Sequence, residues 1–148
     1  RTGGGLLFVS SMAAFIPVPY QAAYSGTKSF IFNYGQALGQ ELRPHGVSVT
    51  VFTPGGITTE LLDKSGLSHR FKAGDMGMMS AEACAAHALR AFLHRKALCV
   101  PGLLNHALEL VARLAPRGLL AQRTAVMYKP SAEPPEAPPA ATSSRRAS

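Results

Sequence analysis

The stretch "YSGTKSFIFNYGQALGQELRPHGVSVTVFTPGG", residues 24–56, changes from one repeat period to another, and that change decides the fold. In its first part Phe30, Tyr34, Ala37, Leu38 and Leu42 recur at three- and four-residue spacings, the period of a helix with a covered face. The helix reads from about Gln21 to Arg43, and Pro44 with Gly46 ends it. The second part, "VSVTVFTPGG", is rich in β-branched residues and predicts a strand that stops at Pro54-Gly55-Gly56. Upstream, "GLLFVSS" (residues 5–11) is a short apolar run that reads as a strand buried on both faces. "MAAFIPVPY" then forms a loop, because Pro17 and Pro19 break regular structure.

Toward the C-terminus, Thr59-Glu60 could begin a short helix, and a polar loop runs to about Met79. Ser80 is placed to cap a helix running to about Lys96, with Glu82 in its first turn. "ALCVPG" predicts a third short strand. "LNHALELVARLA" is amphipathic: Leu104, Leu108, Val111 and Ala115 share one face, and Asn105, Glu109 and Arg113 the other. Pro116 interrupts it, and a second helical piece extends to Tyr128. From Pro130 onward proline, alanine and serine dominate, a composition that cannot offset its ordering entropy and predicts a disordered tail over 130–148. Strand and helix alternate three times, which predicts an α/β fold with a parallel sheet. Three strands make a narrow sheet, and the chain opens with Arg1 on a strand-like segment. The expectation is a fragment whose front half is missing.

The 148 residues carry a net charge of +7, of which +1 falls in residues 1–60 and +6 in the remainder. No zinc-finger spacing or aromatic-basic interleaving accompanies the charge, so nucleic acid is not the expected partner. No apolar run reaches the ~18 residues that would span a bilayer, and no signal peptide is visible. Cys84 and Cys99 are too few for a disulfide framework and fit a reducing cytoplasm. The five histidines show no metal-ligand spacing, so no metal is expected.

Tyr24 and Lys28 stand four residues apart, on one helical face. An ammonium beside a phenol favours the phenolate and tunes an acid/base group toward neutral pH. Ser11 precedes Tyr24 by thirteen residues at the end of the first strand, and Pro54 follows Lys28 by twenty-six at the end of the next. Ligands of parallel sheets sit at the carboxyl ends of strands, so these groups can surround one point. Tyr20 lacks a lysine four positions on, and strand alternation sends Ser10 the opposite way from Ser11. Thr58 competes with Thr59 for contact with a ligand at that edge.

With "GGGLLFVSS", "YSGTK" and "VSVTVFTPGGITTELL" in this order over residues 3–62, the chain resembles the short-chain dehydrogenase/reductase family. The resemblance implies the last three strands of a doubly wound Rossmann sheet, with the N-terminal nucleotide-binding half missing and residues 1–129 as the catalytic half. It implies reversible hydride transfer between NAD or NADP, NADP slightly favoured, and a small carbonyl/alcohol substrate. Tyr24 would be the acid/base, Lys28 would lower its pKa and bind the nicotinamide ribose, and Ser11 would hydrogen-bond the substrate oxygen. Pro54, Gly55, Gly56 and Ile57 would line the nicotinamide, and Thr59 would hydrogen-bond the cofactor. It also implies a homo-oligomer formed through the Tyr/Lys helix, where Phe30, Phe32, Ala37 and Leu38 point in more than one direction.

The family's Gly-rich phosphate turn is absent, because Gly3 to Gly5 come just before the serine strand. The 148-residue chain is therefore expected to be inactive alone. A non-enzymatic truncated product is the alternative. Residues 103–129 resemble a C-terminal extension of some bacterial members. Their plainest reading is a helix docked on the core with a solvated basic face, and the others are a membrane-surface helix pair or a lid over the substrate. Met76, Met78 and Met79 would lie in a substrate-covering loop or in ordinary packing.

Overall fold

The computed structural model describes residues 3–58 and 78–129. Strand β1 (Gly5–Val9) leads through a 3₁₀ turn (Met12–Ala14) to helix α1 (Ala22–Leu42). A second 3₁₀ turn (Arg43–His45) precedes β2 (Ser48–Phe52). There follow β3 (Gly56–Thr58), β4 (Met78–Ser80), α2 (Ala81–Leu93), β5 (Leu98–Cys99), α3 (Leu103–Leu114) and α4 (Arg117–Tyr128). Strands β1, β2 and β5 form a parallel sheet in that order, with Gly5 opposite Ser48 and Val9 opposite Phe52. The class is α/β, as the alternating pattern predicts.

Local chemistry explains the joints. After α1 the chain reverses through Gly46, which adopts φ +74°, a left-handed conformation that glycine enters without a Cβ clash. Ser80 caps α2, its Oγ accepting from the Ala83 N–H at 3.2 Å. Alternation along β2 turns Val49 and Val51 toward α1 and Phe52 toward α2. Gly35 brings α1 against the sheet, since a Cβ there would lie 2.6 Å from Val51 Cγ2. On the opposite face Phe52, Cys84 and Ala88 form a core, with Leu7, Ile57, Met79 and Cys99 packed on it.

Three expectations change. Strand β1, expected to be buried on both faces, leaves Leu6 41% and Val9 49% exposed, because its outer edge has no partner strand among the described residues. The strand expected to run to the Pro-Gly-Gly turn ends at Phe52, and Gly56–Thr58 forms a separate parallel pair with Met78–Ser80, a segment expected as loop. Gly56 permits the pairing because the Met78 thioether occupies the space its Cβ would need. Helix α3 does not leave its polar face in water. Asn105 and Glu109 are each 5% exposed, whereas Leu108 is 50% and Val111 58% exposed. The buried polar groups have partners, which makes this orientation tolerable. Asn105 Nδ2 donates to the Pro101 carbonyl at 2.8 Å. Glu109 pairs with Arg113 at 2.6 Å and faces His106 at 3.4 Å. The Arg113 guanidinium lies 5.5 Å from the Phe15 ring centroid and 5.8 Å from that of Phe32. Three expectations lie outside the described residues: the helix at Thr59-Glu60, Met76 and the tail over 130–148.

Candidate active site

The carboxyl end of β1 is fastened to one turn of α1 from both sides. Ser10, 2% exposed, donates its Oγ hydrogen to the Lys28 carbonyl at 2.8 Å. In return Lys28 Nζ donates to the Val9 carbonyl at 3.1 Å. The second bond holds the ammonium in place against the rotamer entropy that a lysine side chain loses on ordering. The same ammonium lies 5.7 Å from the Tyr24 ring centroid, within cation–π range. Tyr24 is 44% exposed.

Ser11 follows in extended conformation at φ −164°, and its Oγ accepts from the Ala13 N–H at 3.2 Å. The next N–H, that of Met12, donates to the Pro54 carbonyl at 2.9 Å. This bond carries the Pro-Gly turn to the serine end of β1. Pro54 is buried. Gly55 is partly covered by Asn105, which fills the place of a Cβ. Gly56 is exposed, and Ile57 packs against the Phe52 core. Ser11, Tyr24, Lys28 and the Pro54–Gly55 turn thus share one sheet edge. Thr59 lies outside the described residues. Tyr20 sits just before α1, 59% exposed, at φ +66°, a conformation uncommon for any residue with a Cβ.

Tyr128 is a neighbour that the sequence reading did not single out. Thr124, one turn earlier on α4, donates to the Pro17 carbonyl at 2.7 Å, so this face of α4 lies on the loop leading into α1. Burial raises the Tyr128 phenol above its ordinary pKa, and Tyr24 adds to the rise. The sequence signal would have been Thr124 and Tyr128 at i and i+4, but it does not say what the face meets. A cavity of about 370 Å³, lined by Ile16, Pro17, Val18, Pro19, Ala22, Ser25, Gly26, Ser29 and Arg117, opens nearby. Its α1 residues lie on the side of the helix away from Tyr24 and Lys28, so the cavity and the Tyr/Lys pair are separate features.

Residues 1–69 match the family model described as short chain dehydrogenase. A very-long-chain 3-oxoacyl-CoA reductase of Phaeosphaeria nodorum is 43% identical over 61 residues, 41% of this chain and 18% of that protein. A short chain dehydrogenase of Burkholderia cenocepacia, solved in complex with NADP, has a TM-score of 0.64 at 23% identity, covering 82% of this chain and 49% of that one. A short-chain dehydrogenase of Sphingobium yanoikuyae, solved with NADPH, has a TM-score of 0.59 at 22% identity, covering 90% of this chain and 48% of that one. The chain spans about half the length of these solved structures and a smaller share of the curated relative, and the structural likeness is one of fold. The matched segment is the one that holds Ser11, Tyr24, Lys28 and the Pro-Gly turn. That segment, residues 1–69, is similar to the short-chain dehydrogenase/reductase family.

Proposed function

We propose that this chain carries the proton-transfer half of an NAD(P)-dependent oxidoreductase, NADP favoured, that interconverts a ketone and a secondary alcohol. The observation that carries the reading is the Lys28 ammonium, hydrogen-bonded to the Val9 carbonyl and lying 5.7 Å from the Tyr24 ring. Tyr24 exchanges a proton with the substrate oxygen. Lys28 stabilises the phenolate that remains, because opposite charge nearby favours the ionised form. Ser11 donates to the same oxygen and polarises the carbonyl. The dinucleotide, when bound, supplies or accepts the hydride. Pro54, Gly55, Gly56 and Ile57, with Thr59, would line its nicotinamide, and Lys28 would meet its ribose. The donor set fits that end of the cofactor, since phenol, ammonium and glycine turn share one edge.

The phosphate end has no such cradle among the described residues. Gly3 packs toward the Gly46 carbonyl and Gly5 against Phe92, so both serve the sheet. The outer edge of β1 is unpaired among the described residues, and Leu6 and Val9 are 41% and 49% exposed. We place the phosphate-binding elements on further strands that would extend the sheet from this edge. The two cysteines, unpaired and partly or wholly covered, fit a reducing cytoplasm as the working compartment.

The test is a rate of NADPH oxidation with a panel of ketones, measured for a protein that joins this chain to a nucleotide-binding half. Tyr24→Phe should lower kcat by about 10²–10⁴-fold, the usual worth of positioned acid/base catalysis. A Tyr24→Phe protein with undiminished rate would overturn the reading. The 148 residues alone should show no turnover, and turnover by them would refute the placement of the phosphate site outside the chain.

A further inference from the structure

We infer that α3 and α4 form a docking surface for an anionic lipid bilayer, with the pair lying in the interface rather than crossing it. The argument starts from the direction in which α3 faces. Its polar residues Asn105 and Glu109 are covered, and its apolar residues are turned outward. Leu103 is 92% exposed, Leu110 59%, Val111 58% and Leu114 79%. At 100° per residue these four fall within one arc of the helix, a continuous apolar stripe. Single exposed leucines are ordinary, but a whole apolar helix face in water is not. Helix α4 adds Leu119 and Val126, seven residues apart on the side opposite Thr124, at 49% and 81% exposure.

Charge identifies the occupant. Residues 103–129 carry four basic side chains, Arg113, Arg117, Arg123 and Lys129, and one acidic, Glu109. Glu109 is buried and already bonded to Arg113. Arg123 is exposed on the same side of α4 as Leu119 and Val126, whereas Arg117 lies on the Thr124 side and lines the cavity at Pro17. If two copies of this chain met through this face, Arg123 would be covered with no free acid in residues 103–129 to pair it. An anionic headgroup layer supplies the missing charge, and its acyl boundary takes the leucines. The helices are twelve residues each, against the ~20 needed to span. Among the described residues no helix is long and apolar enough to cross a membrane.

The probe is sedimentation of the 148-residue chain with vesicles of phosphatidylcholine alone and of phosphatidylcholine mixed with phosphatidylglycerol. The expected result is binding to the mixed vesicles that falls with added salt. Leu110→Glu with Leu114→Glu should abolish it. Arg123→Gln should weaken it about fivefold, the worth of one charge near the surface. All three side chains are exposed, so circular dichroism should show an unchanged fold. Failure of the chain to bind the mixed vesicles, or undiminished binding of the Leu110→Glu/Leu114→Glu chain, would overturn the proposal. So would a dimer in solution that the same pair of substitutions dissociates, since a second copy would then own the face.

Discussion

Replacing Ser10 by alanine removes the hydrogen bond from its buried Oγ to the Lys28 carbonyl, one of the two bonds fastening β1 to α1. The carbonyl belongs to a helix interior and keeps its ladder partner, so the cost is that of one internal bond, about 1 kcal/mol. Urea unfolding should show it as a lower midpoint with unchanged slope. Ser11→Ala removes only the acceptor for the Ala13 N–H and should move the midpoint less. On the proposed mechanism it acts on turnover instead. Equal midpoints for Ser10→Ala and the parent would show that the clamp carries no stability. The proximity of Tyr24 and Lys28 was legible because i, i+4 spacing on a helix is a local property. The fastening of Lys28 to Val9 was not legible, since it joins residues that only the folded sheet brings together. Tyr128 was hidden for the same reason: it lies more than a hundred residues from Tyr24 in sequence.

At the scale of elements, α1 against β2 is the joint that places the Tyr/Lys pair, and two of its glycines test how tight that joint is. A Cβ on Gly35 would lie 2.6 Å from Val51 Cγ2 and 3.2 Å from Phe8 Cδ2, whereas one on Gly26 would meet nothing within 4 Å. Alanine at either site gains up to about 1 kcal/mol of helix propensity. At position 35 overpacking costs about 1–3 kcal/mol and outweighs the gain. Gly26→Ala should therefore raise the thermal midpoint and Gly35→Ala lower it, and equal shifts would contradict the packing described. The long helix and its following strand were legible because both periods persist over many residues. Strands β3 and β4 were not, because three residues show no period and their pairing bridges positions 58 and 78. The orientation of α3 was also hidden. Amphipathicity says which face is apolar, and only the partners of Asn105, Glu109 and Arg113 say which face is covered.

For the whole molecule, the exposed flank of α1 beside β1, where Tyr34 lies edge-on to Phe8, bears on assembly. Of the apolar residues that point outward in sequence, Phe32 is taken up inside, edge-on to Phe15 at 4.8 Å between ring centroids. Phe30 is 65% exposed and stacks on Tyr34, itself 47% exposed, at 5.5 Å. The two rings present a rigid aromatic plate, the kind of side chain that carries interface energy. A two-fold pairing would set this plate against its own copy, with no arginine drawn in as at α4. We propose that the protein self-associates here, and Phe30→Asp is the discriminating change. Truncating a central aromatic anchor costs about 2 kcal/mol or more, about 30-fold in the dimer constant. Sedimentation velocity should then show a dimer for the parent and a monomer for Phe30→Asp, while Leu110→Glu with Leu114→Glu stays dimeric. A parent that is monomeric, or a Phe30→Asp chain that stays dimeric, would show that α1 is covered by something other than its own copy.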